Sequence, residues 1–223
     1  MLNQALIDLL WEGTLDTIYM TLVSTFFSYV FGMIMAVILV ITRADGIRPH
    51  PVIFRVLDVI VNLTRSFPFL ILMIAIIPFT RWLVGTTIGN NATVVPLVVA
   101  AAPFVARLIE QSLLEVDRGV IEAAQSMGAG AFQIVSKVLL PEALPSLISG
   151  GTITVATILG YGAMAGIIGG GGLGKMAINY GYYNFKFIVM WAAVIGLIVL
   201  VQVFQSLGTR LANKCDKRLR KKN

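Results

Sequence analysis

The sequence predicts an all-α, polytopic membrane protein with five transmembrane helices. Three observations carry this expectation. Hydrophobic residues make up 57% of the 223 positions and charged residues only 13%, against roughly 25% charged residues in a soluble domain. Five apolar stretches each approach the ~20 residues a helix needs to cross the hydrocarbon core. Lysines and arginines then fall almost wholly on one side of those stretches.

The first stretch, 18–41, contains no charged residue. Before it, Asp8, Glu12 and Asp16 stand where a secretory leader would carry positive charge, so no cleavable signal is expected. The second, about 57–79, is interrupted by Arg65 and Pro68; the third, about 93–113, contains Pro96 and Pro103. The fourth, about 147–168, is rich in Gly, Ala and Thr, and the fifth covers about 187–207. No internal repeat or low-complexity linker is visible, so residues 1–223 read as one transmembrane domain, with its largest loop at about 115–145.

Five spans put the two ends on opposite sides. Arg43, Arg48 and Arg55 fall in the loop after the first stretch, Arg107, Arg118 and Lys137 in the loop after the third. Seven more, Arg210, Lys214, Lys217, Arg218, Arg220, Lys221 and Lys222, lie at the C-terminal end. These thirteen face Arg81, Lys175 and Lys186 on the other side. Basic loops stay in the cytoplasm, so the N-terminus is expected outside and the C-terminus inside. The net charge of +6 therefore marks topology rather than a nucleic-acid surface. The single Cys215 has no disulfide partner, and the single His50, between Pro49 and Pro51, has no metal-ligand neighbours and reads as a solvated loop residue.

Several features have competing readings. Gly169–Lys175 runs Gly-Gly-Gly-Gly-Leu-Gly-Lys, close to a phosphate loop, but Met176 replaces the magnesium-binding Ser or Thr and no strand precedes it. A flexible external turn is the better expectation. Gly162, Gly166 and Gly170 repeat a small-residue spacing that permits close helix packing, within the chain or against a second copy. Tyr161 and Met164 are candidate pathway-lining residues on that stretch. An arginine in a span is costly, and Arg65 shares a helical face with Asn62 and Asp58. Arg65, Ser66 and Pro68 therefore mark either a polar pathway face, an arginine reaching the interface, or an Asp58–Arg65 pair. Asn91-Ala92-Thr93 fits a glycosylation acceptor by pattern alone, and Thr93 is expected instead to cap the third helix.

The most specific pattern lies in residues 122–141, EAAQSMGAGAFQIVSKVLLP. Ala123 and Ala124 favour helix and allow close approach of another surface. Glu122 suits the first turn of that helix. Gly128 can take the left-handed conformation that ends it. A second helical stretch from about 131 to 140 is expected to end at Pro141 and Pro145. This spacing resembles the EAA loop of ABC importer permeases, EAA-x3-G-x9-I-x-LP. Glu122, Ala123, Ala124, Gly128, Leu140 and Pro141 match, and Val138 stands where isoleucine is commoner. The resemblance implies a type I importer whose cytoplasmic loop docks two short helices into a separate ATPase. Arg65-Ser66-Phe67-Pro68-Phe69, Ala102-Pro103-Phe104-Val105-Ala106-Arg107 and Gly160-Tyr161-Gly162-Ala163-Met164 further resemble the permeases of bacterial methionine importers.

That resemblance implies a non-catalytic subunit in the bacterial cytoplasmic membrane. Two copies would form the pathway by alternating access, with an ATPase dimer below and an extracytoplasmic substrate-binding lipoprotein above. No cofactor is expected in this chain; ATP and magnesium belong to the partner ATPase. An importer permease for another amino acid, a phosphonate or a sulfonate is the alternative. A stand-alone secondary transporter fits less well, because Arg65 is the one intramembrane charge expected and proton-relay carboxylates are few. An intramembrane enzyme fits least, because no nucleophile–base pair stands out.

Overall fold

The computed structural model describes residues 4–215, and among them every regular element is helical. In chain order these are α1 (Gln4–Thr42), α2 (Pro51–Ser66), α3 (Phe69–Ala75), α4 (Ile77–Val84) and α5 (Asn90–Leu114). Then come α6 (Arg118–Ser126), α7 (Ala131–Ile134), α8 (Leu140–Ala165), α9 (Gly172–Met176) and α10 (Phe187–Cys215). A π-helical turn, Val135–Leu139, joins α7 to α8, and another, Ala177–Tyr183, follows α9.

Four stretches are long and apolar enough to cross a membrane: Leu6–Thr42, Asn90–Leu114, Ala131–Ile168 and Phe187–Cys215. Each contains one of the expected apolar runs and extends beyond it. At 1.5 Å per residue, lengths of 25 to 38 residues give roughly 38–57 Å, more than the ~30 Å core, so polar ends project past it. The window of α10 is only 6% buried within the chain at a mean hydropathy of 2.7. Lipid or another apolar protein surface must cover it.

The second expected span is corrected. It is not one straight helix: α2 and α3 meet at a 105° bend and count as a fifth span only when taken together. Pro68 has no N–H to continue the ladder, and its ring disfavours helix at Phe67. Pro68 accordingly sits at φ −58°, ψ 130°, just before α3. A further break at Ile76 precedes α4, which Gly85 ends at φ +80°.

The chain divides into two compact units, and the division falls inside α1, α5, α8 and α10. One unit gathers residues up to Phe27, Phe67–Ala101 and Thr154–Gln205. Its core includes Met20, Phe69, Leu97, Ala101 and Ile158, with a second cluster around Leu173, Met176 and Ala193. The glycine-rich segment belongs here, and it is not the free turn expected from sequence. Gly172, Leu173, Gly174 and Met176 are buried. The Leu173 N–H donates to Thr17 Oγ1 at 2.9 Å, and the Gly170 N–H to the Ala165 carbonyl at 3.0 Å. A Cβ on Gly166 would overlap the backbone of Lys175, and one on Gly174 the backbone of Ala163. Gly166 thus serves packing within the chain, whereas a Cβ on Gly162 would meet nothing within 4 Å. Thr93 is also corrected: α5 begins at Asn90, and Thr93 lies in its first turn, donating through Oγ1 to the Gly89 carbonyl at 2.9 Å.

The other unit gathers Ser28–Ser66, Ala102–Ile153 and residues from Ser206 on. Its core joins Ala36 and Val40 of α1, Ile109 and Leu113 of α5, and Ile134 and Leu139 of the 122–141 region. The basic residues Lys217, Arg218, Arg220, Lys221 and Lys222 lie outside the described residues.

Candidate functional site

The 118–141 segment folds as two short helices around a tight turn. Asp117 caps α6, accepting from the Gly119 N–H at 2.7 Å. The helix therefore starts four residues before Glu122, and the expectation of Glu122 in its first turn is corrected. The stabilising carboxylate at the positive end of the dipole is Asp117. Glu122 and Ala123 are exposed, while Ala124 on the opposite side is buried.

Gly128 ends α6 as expected, at φ +80°. The Gly128 N–H donates to the Gln125 carbonyl at 2.9 Å, and the Ala129 N–H to the Ala124 carbonyl at 3.0 Å. These are the two bonds of a Schellman motif, which consumes carbonyls that the helix end would otherwise leave free. The Gly130 N–H is then taken by the Gln133 side chain at 2.9 Å, fixing the start of α7.

The second helical stretch does not end at Pro141 and Pro145. It continues through the π-helical turn into α8, with Pro145 inside the helix. A π turn shifts the hydrogen-bond ladder by one residue, and this one falls immediately before Pro141, which has no N–H to give. Pro141 is exposed, and Val138 and Leu140 are half-buried against Ile134 and Leu139. The matched residues thus divide into anchors, Ala124, Val138 and Leu140, and an outward set, Glu122, Ala123, Gly128 and Pro141. Sequence reasoning missed that Met127 and Phe132, 82% and 83% exposed, stand on the same turn. Their position beside Gly128 and at the start of α7 was the available signal.

Arg118 at the start of α6 pairs with Asp45 of the α1–α2 loop, and Asp45 also binds Arg43 Nε at 2.8 Å. Desolvation pushes the Asp45 carboxyl up, but a backbone hydrogen bond and the two guanidinium groups outweigh it and hold it below its usual range. A cleft of about 360 Å³ lies alongside, lined by Val40, Asp45, Ile47, Leu113 and Glu122 among others. In the same loop His50 has a role not expected: its Nδ1 accepts from the Ile53 N–H at 3.3 Å, capping α2 ahead of Pro51.

The intramembrane charges also differ from expectation. Arg65 is exposed and is not Asp58's partner. Asp58 pairs with Arg107, which donates to Glu110 Oε2 at 2.6 Å and to Asn62 Oδ1 at 3.0 Å. Asn62 Nδ2 donates back to Asp58 at 3.2 Å. Arg107 lies seven residues inside α5, not in a loop, so it drops out of the basic residues counted for the loop after the third stretch. Arg65 is accordingly not the one intramembrane charge. Two charges of opposite sign, each seven residues from the helix end nearest the basic loops, were the missed signal. Ser66 Oγ donates to the Asn62 carbonyl at 2.9 Å. In the other unit Tyr161 stacks on Phe69 at 4.5 Å and 4°, and Met164 of α8 is half exposed.

Helices of this length and hydropathy define a membrane protein. The chain belongs to the family of binding-protein-dependent transport system inner membrane components, which residues 28–221 match. The probable D-methionine transport system permease protein MetI of Vibrio cholerae is 49% identical over 211 residues, covering 95% of this chain and 94% of that protein. The D-methionine transport system permease protein MetI of Escherichia coli K12 is 49% identical over 165 residues, 74% of this chain and 76% of its own length. A chain of the MetNI methionine ABC transporter, solved in inward-facing conformations, superposes with a TM-score of 0.95 at 45% identity, covering 96% of this chain and all of that one.

Proposed function

We propose that this chain is the permease subunit of an ATP-driven methionine importer. The observation that carries the reading is the near-complete superposition on the methionine transporter chain, and the exposed residues of the 122–141 loop support a docking role for it. Residues 1–223 act as one transmembrane domain, paired with a second copy. Glu122, Ala123, Gly128 and Pro141, together with Met127 and Phe132, meet a separate ATPase, which holds ATP and magnesium. Ala124, Val138 and Leu140 hold that face in place from behind. A substrate-binding lipoprotein delivers the solute from outside. This chain performs no chemistry of its own; it converts closure of the ATPase pair into alternating access. ATP must bind one of the two conformations better than the other for any shift to follow.

The excess of Lys and Arg supports an external N-terminus and a cytoplasmic C-terminus, with the docking loop where ATP is found. Arg65, Ser66, Pro68, Tyr161 and Met164 remain the candidates for the pathway. Methionine is zwitterionic with a flexible thioether, and a half-exposed methionine beside a stacked tyrosine offers it a soft, weakly binding wall. The test is accumulation of radiolabelled methionine in proteoliposomes holding this chain, its ATPase and its binding protein. Uptake that needs ATP and is blocked by excess methionine is expected. Accumulation of a phosphonate, a sulfonate or another amino acid instead of methionine overturns the substrate and leaves the importer class.

A further inference from the structure

The polar residues of α2 form a stripe: Arg55, Asp58, Asn62, Arg65 and Ser66 follow helical spacing. Val52, Val56, Ile60 and Leu63 form a separate exposed apolar face. Lipid suits the second face and not the first, because charges in hydrocarbon are expensive. Arg107 of α5 meets the stripe at Asp58 and Asn62, and the rest of it suits water or a solute rather than lipid.

Its charges are unbalanced in a particular way. Arg107 holds two carboxylates, Asp58 and Glu110, so that group carries one net negative charge. Glu110 is nearly sealed off at 7% exposure, whereas Asp58 is 31% exposed. The open edge of the negative group is thus Asp58 with Asn62. Arg55 makes no ion pair among the described residues, but it lies one turn nearer the helix start, within reach of interfacial water. Arg65 likewise has no ion-pair partner among the described residues. It sits two turns, about 10 Å, beyond Asp58 on the same helical face, a separation that two side chains and a small solute can span. The stripe lacks a cation at one end and an anion at the other.

We propose that Asp58, Asn62 and Arg65 form a subsite for the zwitterionic head of an α-amino acid. The ammonium group meets Asp58 and Asn62, and the carboxylate meets Arg65. A neutral zwitterion satisfies both ends without adding net charge to the membrane interior, and its side chain plays no part. The inference rests on the amino-acid permease reading above and adds to it the residues that touch the substrate.

The test uses the assembled permease–ATPase complex in lipid nanodiscs, without the binding protein. Equilibrium binding of radiolabelled methionine is measured for the wild type, Asp58→Asn and Arg65→Gln. Saturable wild-type binding is expected, weakened about tenfold by either substitution, as loss of a single charge-assisted contact implies. Asp58→Asn should not weaken binding of 4-methylthiobutanoate, which lacks the ammonium group. Arg65→Gln should not weaken binding of methioninamide, which lacks the carboxylate. Arg65→Lys, which keeps the charge, should stay near wild type, and gel filtration of each complex checks assembly. Wild-type affinity in both variants, absence of saturable binding, or the same loss for every ligand overturns the subsite. Proteoliposome uptake by the wild type is run alongside. Methionine uptake with unchanged variant affinities overturns the subsite alone; no methionine uptake by the wild type overturns the substrate reading itself.

Discussion

Replacing Gly128 separates backbone strain from side-chain contact at the loop proposed to dock the ATPase. The residue sits at φ +80°, and a Cβ there would meet nothing within 4 Å. A substitution therefore costs only what the left-handed conformation costs an L-residue, about 1–2 kcal/mol for alanine. It costs more for valine, whose branched Cβ is least tolerant of positive φ. Asparagine visits this region routinely and should recover most of the loss. Relief of the strain means leaving the left-handed region, which breaks the bonds from Gly128 to Gln125 and from Ala129 to Ala124. A cost of 1–2 kcal/mol then lowers the population of the docking geometry about 5- to 30-fold. The assay is the amount of ATPase retained on tagged permease, with uptake per ATP hydrolysed in proteoliposomes. Membrane insertion should be unchanged, and activity should rank Gly, Asn, Ala, Val. Equal damage from Asn and Val would show that a contacting surface, not backbone conformation, is responsible. Wild-type activity in all three would refute the role of the turn.

Ala123→Trp adds bulk on the outward face of α6 and should abolish ATPase retention while α6 still folds, as tested by co-purification against an unchanged yield of permease. Gly166→Val forces a side chain into the backbone of Lys175, and should reduce folded protein in the membrane severely, whereas Gly162→Ala should be tolerated by the isolated chain; thermal aggregation in detergent compares them. Arg65→Leu should lower uptake per molecule more than it lowers the amount of permease in the membrane; unchanged uptake per molecule would return Arg65 to a purely interfacial role. Cysteines placed at positions 130 and 179 should differ in labelling by an impermeant reagent in intact cells, with 179 labelled and 130 protected; the reverse overturns the orientation.

Features set by local chemistry were legible in the sequence. The apolar runs of α1, α5, α8 and α10 announce themselves by length, and Gly128 by the spacing around it. The bend after α2 was half legible: Pro68 was visible, but not that α3 would turn away by 105°. Features set by contacts between distant residues were not legible. The Arg107 group joins residues 49 positions apart, and no periodicity links Asp58 to Arg107. The glycine run read as flexible because composition alone cannot reveal that Thr17 and Ala165 occupy its N–H groups. The π turn before Pro141 was hidden for a similar reason. Proline usually stops a helix, but Pro141 falls in the first turn of α8, just after the π turn, where its missing N–H is tolerated.

The distance between Asp58 and Arg107 also bears on how the protein is made. α2 is only 16 residues long and carries Arg55, Asp58 and Arg65. A carboxylate at the centre of an inserted helix costs about 2.5–3.5 kcal/mol. Its guanidinium partner lies 49 residues further along the chain and leaves the ribosome that much later. At about 5–20 residues per second that is a delay of roughly 2–10 s. During that interval Asp58 lacks the guanidinium that offsets its charge. The pair can form only once α5 has been made, so the charge in α2 is offset by a helix that arrives later in synthesis.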